Sequence, residues 1–272
     1  MTGDPLNNPH TGGLIKLLFT DAADEDYLVA RVSFRLGMAN QFSWSAQQSL
    51  EKYLKGALLF NNIGVKSFKH ELDKLLVEVR KIAGDLLPDC LCPPNGFPTS
   101  TAGHWGAFEP LDSVVKRFLK NGSTHQRYRL HGHMVTPNDL HYFDELCFLL
   151  RRLNVTLSAP FLKGAGSFRD WLSVDKNAQP RGDLRLPSRS PESASDETLE
   201  FARWRNFSYF PESAIEGGLL ANFMYAENSP TSTYLGFGPE SLESVRWIKD
   251  NVQLKKSDCL ELTAAIKRWP NV

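Results

Sequence analysis

The chain of 272 residues has no surplus of either charge: 31 Lys and Arg balance 31 Asp and Glu. That balance excludes a protein-wide basic surface for nonspecific nucleic-acid binding, though not a local patch. Long apolar runs are missing too. The N-terminal stretch "MTGDPLNNPHTGG" has no basic region followed by an apolar core, so no secretory signal is expected. "LIKLLF", Leu14 to Phe19, is far too short to span a bilayer, so no membrane partner is expected. The four cysteines, Cys90, Cys92, Cys147 and Cys259, form no disulfide framework, and a cytoplasmic location fits them best. "CLC" at Cys90 to Cys92, with His104 downstream, lacks the paired C-x-x-C spacing of a zinc site. "LGFGPE" lacks the third glycine of a dinucleotide fingerprint. Neither a metal nor an organic cofactor is therefore expected. Strand signals are few, and no internal repeat is evident.

What is present is helical periodicity. Residues 1–20 read as an irregular arm with a short apolar anchor. From Asp21, "DAADEDYLVARVSFRLGM" opens on acidic residues suited to a helix N-terminus. A second helix is expected over about 41–61, stopped at "NNIG", and a third over about 70–82 with Leu72, Leu75, Leu76 and Val79 on its apolar face. The Pro- and Gly-rich run 86–106 reads as an insertion. A fourth helix is expected over about 111–120. A fifth starts at Pro137, with Thr136 as N-cap and Asp139 in the first turn. Arg151 and Arg152 suit its C-terminus. Residues 159–272 form a mostly helical extension with an exposed loop over about 176–196. In this extension "FARWRNFSYF" is aromatic and basic, either an RNA-stacking surface or core plus rim. The fold class is all-α.

One polar pair interrupts an apolar stripe. On the helix over 41–61, Phe42, Ala46, Leu50, Tyr53 and Ala57 share a face flanked by Trp44, Leu54 and Leu58. Gln47 and Glu51 project between them. Either this flank is half exposed and Glu51 is simply wet, or the pair faces a polar cluster or a subunit interface. Lys52 and Lys55 point further round, toward solvent. Arg127, a permanently charged planar donor, is the natural partner for Glu51. Arg127 lies in "THQRYRLHGHM", Thr124 to Met134, which packs two arginines and three histidines into eleven positions. His70 reads as a helix N-terminal contact or a core histidine.

The block 26–76 resembles the HEPN family of helical domains. The residues that carry the resemblance are the Ala-Gln-Gln-x-x-Glu-Lys-x-x-Lys run from Ala46 to Lys55, the turn at Gly64, and the His-x-Leu of His70 and Leu72. More loosely it extends through "QRYRLHGH" and "TPNDLHYFDELCFLLRRL", covering about 21–157. The resemblance implies an up-and-down HEPN-like bundle over 21–158, commonly a homodimer. Many members are metal-independent ribonucleases, often toxins in toxin–antitoxin or defence systems. Others are noncatalytic, or act with a nucleotidyltransferase or another defence partner, binding nucleotide or RNA. The family's signature, an Arg followed four to six residues later by a His, falls on Arg127 and His133, with Arg129 and His131 as neighbouring alternatives. With Arg127 in that role, Glu51, with Gln47 beside it, is expected to orient it across the bundle.

RNA can be cleaved without metal by attack of its own 2′-hydroxyl on the adjacent phosphate. The reaction needs a base, an acid and a cation for the phosphorane charge. Imidazole serves as base or acid near neutrality, and guanidinium clamps phosphoryl oxygens as charge builds. His133 and Arg127 take those roles under the resemblance, and Tyr128 is suited to stack on a base.

Overall fold

The computed structural model describes residues 9–92, 108–123, 133–162 and 166–180, together with isolated positions between 203 and 267. Seven α-helices run through them: α1 (Pro9–Ile15), α2 (Ala22–Arg35), α3 (Ala39–Phe60), α4 (Leu72–Ala83), α5 (Leu111–Asn121), α6 (Pro137–Arg152) and α7 (Phe168–Val174). Four short strands pair in two antiparallel ribbons. β1 (Cys90–Leu91) pairs with β2 (Glu109–Pro110), clasping the two ends of the insertion. β3 (His133–Val135) pairs with β4 (Tyr225–Glu227).

The all-α expectation holds. α3 is the axis: α2, α4, α5 and α6 all pack on it. Its stripe is fully buried from Phe42 to Leu58, through Ala46, Leu50, Tyr53, Leu54 and Ala57. α4 and α5 each present one apolar face, Leu72, Leu75, Leu76 and Val79 on one, Leu111, Val114, Val115 and Phe118 on the other. Phe34, Phe42, Phe118 and Phe143 meet edge-on or tilted at the centre, with centroids 5.2 to 6.1 Å apart, the geometry aromatic quadrupoles favour. α6 starts as its sequence predicts. Thr136 Oγ1 accepts from the Asp139 N–H, and the Asp139 carboxylate accepts from the Thr136 N–H at 2.8 Å, a reciprocal capping box.

The N-terminal arm differs from expectation. Residues 9–21 are helical, with a π-helical stretch over Lys16–Asp21 leading into α2. The apolar anchor is also less than its composition suggests. Leu14, Leu17 and Leu18 face outward, each more than half exposed, while Phe19 is half-buried and its Cβ abuts Gly56.

Two arginines read as dipole partners at the end of α6 are instead buried structural donors. Arg151 makes a two-pronged bond to Asp24 of α2, at 2.9 and 3.1 Å. Tyr53 donates to the same carboxylate. Arg152 donates to the carbonyls of Leu172, Asp175 and Ala178, at 2.8, 2.8 and 3.0 Å, and so closes the end of α7. A second buried pair joins Arg31 to Asp144, with Tyr27 donating to Asp144 at 2.7 Å. Arg31 also donates to the Trp204 carbonyl, and Asn206 donates to the Tyr27 hydroxyl at 2.8 Å. Burial pushes the Asp24 and Asp144 carboxyls upward, with the facing arginines opposing it.

The core therefore runs past residue 158. Leu172 and Ala178 belong to it, and Trp204 and Tyr209 pack against it. Of the "FARWRNFSYF" residues that the structure describes, Trp204 and Tyr209 are core-facing and Arg203 is exposed, which is the core-plus-rim arrangement. Arg205 and Phe207 lie outside the described residues, as do residues 181–196 of the expected exposed loop and most of the helical extension after it; Ala178, inside that expected loop, is buried.

Candidate functional site

Gln47 and Glu51 lie one turn apart on α3, and both are buried, 5% and 6% exposed. Glu51 is thus not simply wet. Its partners are on its own side of the bundle. Lys55, one turn on, donates to Oε1 at 2.6 Å. His70 brings Nδ1 to 3.0 Å from both carboxylate oxygens. The expectation that Lys55 points away from Glu51 is corrected: four residues on is a neighbouring helical position, and the long side chain folds back. Lys52 does turn away, to Asp26 of α2.

His70 is not a core histidine. Its side chain is 77% exposed, and it stands in the turn before α4. The turn is set by Lys69, a non-glycine residue in the left-handed region at φ 47°. That conformation turns the chain so that the next side chain reaches back to α3.

Gln47 marks the other end of this face. Its Oε1 has no hydrogen-bond partner among the described residues. Gly122, at the end of α5, presses on it. A Cβ added there would stand 2.5 Å from Gln47 Cβ and 2.8 Å from Oε1, and closer still to the Ser43 carbonyl. Only glycine fits. The chain leaves this contact through Ser123 into 124–132 and returns as β3. Arg127, Tyr128, Arg129 and His131 lie outside the described residues, so their proximity to Glu51 rests on the sequence alone. For His133 the backbone is described. It pairs with Glu227, in register with Met134 opposite Ala226. β4 also lies against α3.

Elsewhere, α6 faces a cleft of about 660 Å³ lined in part by Cys92, His141, Glu145, Phe148 and Arg152. His141 lies 3.1 Å through Nε2 from the Cys92 carbonyl, so that nitrogen carries the proton, and burial pulls its pKa down. Burial pushes Glu145 up to about 7, partly offset by the Cys92 backbone. His104, the other half of the sequence's zinc question, lies outside the described residues.

Sequence reasoning identified Gln47 and Glu51 but missed His70 and Lys55 as their company. The helical Glu-x-x-x-Lys spacing was the available signal for Lys55. For His70 the signal was only the His-x-Leu opening, since the backbone turn at Lys69 has no mark in the sequence.

No helix among the described residues is long and apolar enough to cross a membrane. No curated protein and no solved structure matches the chain, and no family model covers the chain outside a single segment. That segment is residues 18–93, which match the family model of the HEPN domain and contain the whole face of Gln47, Glu51, Lys55 and His70.

Proposed function

We propose that this chain is an RNA-directed HEPN protein acting as a metal-independent endoribonuclease. The observation that carries the reading is the buried polar face of α3 inside the HEPN match, ending on a Gln47 oxygen that has no partner among the described residues, beside Gly122 and just before the Arg127 segment in sequence. An oxygen buried there calls for a donor, and the next nine residues are rich in them.

On this reading Arg127 clamps the phosphoryl oxygens, His133 exchanges a proton with the reacting ribose or leaving group, and Tyr128 stacks on a base. Arg129 and His131 line the same strand of chain. A homodimer sets two such segments in one groove, in the cytoplasm, in the setting of a toxin or defence component.

The test is cleavage of RNA by the purified chain in EDTA. Arg127→Ala and His133→Ala are each expected to lower kcat by about 10²- to 10⁴-fold. Equal background cleavage by wild type and both variants overturns the reading.

A second reading has one observation in its favour. Glu51 already holds Lys55 and His70, so no uncompensated charge waits there for Arg127. The chain would then be a noncatalytic RNA- or nucleotide-binding module, working with a partner such as a nucleotidyltransferase. Fluorescence titration with short RNAs and nucleotides separates the two, since this reading requires binding without turnover.

A further inference from the structure

We propose that the cleft on α6 is a binding site for a small organic ammonium ion, paired with Glu145 and seated on the apolar wall beside it. The assignment is independent of the RNA-cleaving reading, because none of the residues it uses belongs to that site.

The cleft follows from helical spacing. His141, Glu145, Phe148 and Arg152 recur every three or four residues along α6, so one side of the helix carries them all. Phe143, Leu146 and Leu150 take the core side and are fully buried. Residues 85–92 and the end of α7 supply more of the wall. The space of about 660 Å³ is of the size that small-molecule sites occupy.

Glu145 is the unbalanced charge of this wall. Its side chain is 24% exposed, open enough to meet a ligand, and Oε2 makes no hydrogen bond. His141 Nε2 stands 3.6 Å from Oε2, but it gives its proton to the Cys92 carbonyl at 3.1 Å, and burial favours the neutral ring. Arg152 is buried and turns Nε and Nη2 onto three backbone carbonyls. Lys176 is exposed and makes no ion pair with Glu145. Burial accordingly pushes the Glu145 carboxyl up to about 7, with the Cys92 backbone offsetting only part of it. A cation brought in by a ligand would supply the missing partner and favour the ionised form.

The rest of the wall selects the kind of ligand. An anion would face Glu145 and the exposed Asp85, with only Lys176 open to receive it. Among the described residues no three side chains come together as metal ligands. Pro88, Phe148 and Leu149 are each half-buried and turn apolar surface to the cleft. Arg152 already lies over the Phe148 ring, 5.9 Å from its centroid, so that ring serves the apolar body of a ligand and the charge belongs at Glu145. The chemistry that fits is an ammonium group on a compact apolar or aromatic body.

The experiment compares three probes of one shape on the full chain by ligand-observed NMR: benzylamine, benzyl alcohol and benzoate. Benzylamine is expected to bind with a Kd of about 0.1–1 mM, and the neutral and anionic probes about tenfold more weakly or worse. Glu145→Gln keeps the shape of the side chain and removes its charge, and is expected to weaken benzylamine binding about tenfold or more. Lys176→Ala, which removes a like charge, is expected to leave benzylamine binding equal or slightly tighter. On the wild-type chain the affinity is expected to rise between about pH 6 and pH 8 as Glu145 ionises. The assignment is overturned if benzylamine does not bind at about 10 mM, if benzyl alcohol or benzoate binds as well, or if Glu145→Gln binds benzylamine like wild type. Wild-type affinity that stays the same across that pH range overturns it too, and this measurement needs no variant to fold.

Discussion

Gly56 stands inside α3, one turn before its end, where a glycine costs a helix about 1 kcal/mol relative to alanine. Its reason is Asn154. An added Cβ would lie on the Asn154 Oδ1 and 3.2 Å from Phe19 Cβ. Asn154 is fully buried and donates to the carbonyls of Tyr53 and Leu150, at 3.0 and 2.9 Å, while Thr20 donates to it at 3.1 Å. Gly56→Ala is therefore expected to destabilise by about 1–3 kcal/mol in denaturant melts despite its better propensity. An unchanged or raised midpoint would show that Asn154 can move aside. Glu145 gives a residue-scale prediction with a pH sign. Its carboxyl titrates at about 7 in the folded chain against 4.5 in the ordinary state. The folded state thus holds a proton that the unfolded state has lost between those values, and the contribution of Glu145 to stability falls as pH rises through that window. Glu145→Gln is expected to be near neutral at pH 5 and to stabilise by about 1–3 kcal/mol at pH 8. Equal shifts at both pH values would contradict it.

At the scale of elements, the periodic helices were legible because their physics is local. α3, α4, α5 and α6 lie within three residues of the limits read from apolar spacing, caps and stop signals. Thr136 was recognised as an N-cap from residue type alone, and Thr136→Ala is expected to cost about 0.5–2 kcal/mol through loss of the box. A melting point unchanged within error would mean that burial of Val135 and Leu140 alone fixes the start of α6. What remained illegible was decided by distant partners. Nothing near Arg151 announces Asp24, 127 positions earlier, and nothing near Arg152 announces the carbonyls of α7. Both residues satisfy the rule for a helix C-terminus as written, and burial overrides it. The site follows the same division. Gln47 and Glu51 stood out because they broke a local pattern. His70 did not, because its approach to Glu51 depends on a left-handed Lys69.

Over the whole molecule, the family match and the folding unit have different extents. Residues 18–93 hold α2, α3 and α4, while α3 buries its remaining faces against α5 and α6. The buried arginines extend the unit further. Arg31 needs the Trp204 carbonyl, Arg151 also donates to Gln179 at 3.2 Å, and Arg152 donates to three carbonyls beyond residue 171. A fragment of residues 21–158 is therefore expected to lack a cooperative thermal transition. Removing one partner of a buried charge costs about 3–5 kcal/mol, and domains of this size have only about 5–15 to lose. A fragment that melts sharply would show that water replaces these carbonyls at little cost. During synthesis the same contacts impose a delay. At about 5–20 residues per second, the ribosome makes Asn206 some seconds after it has finished α6. For most of that interval the Arg31 guanidinium lacks the Trp204 carbonyl, so the N-terminal half emerges first but sets last.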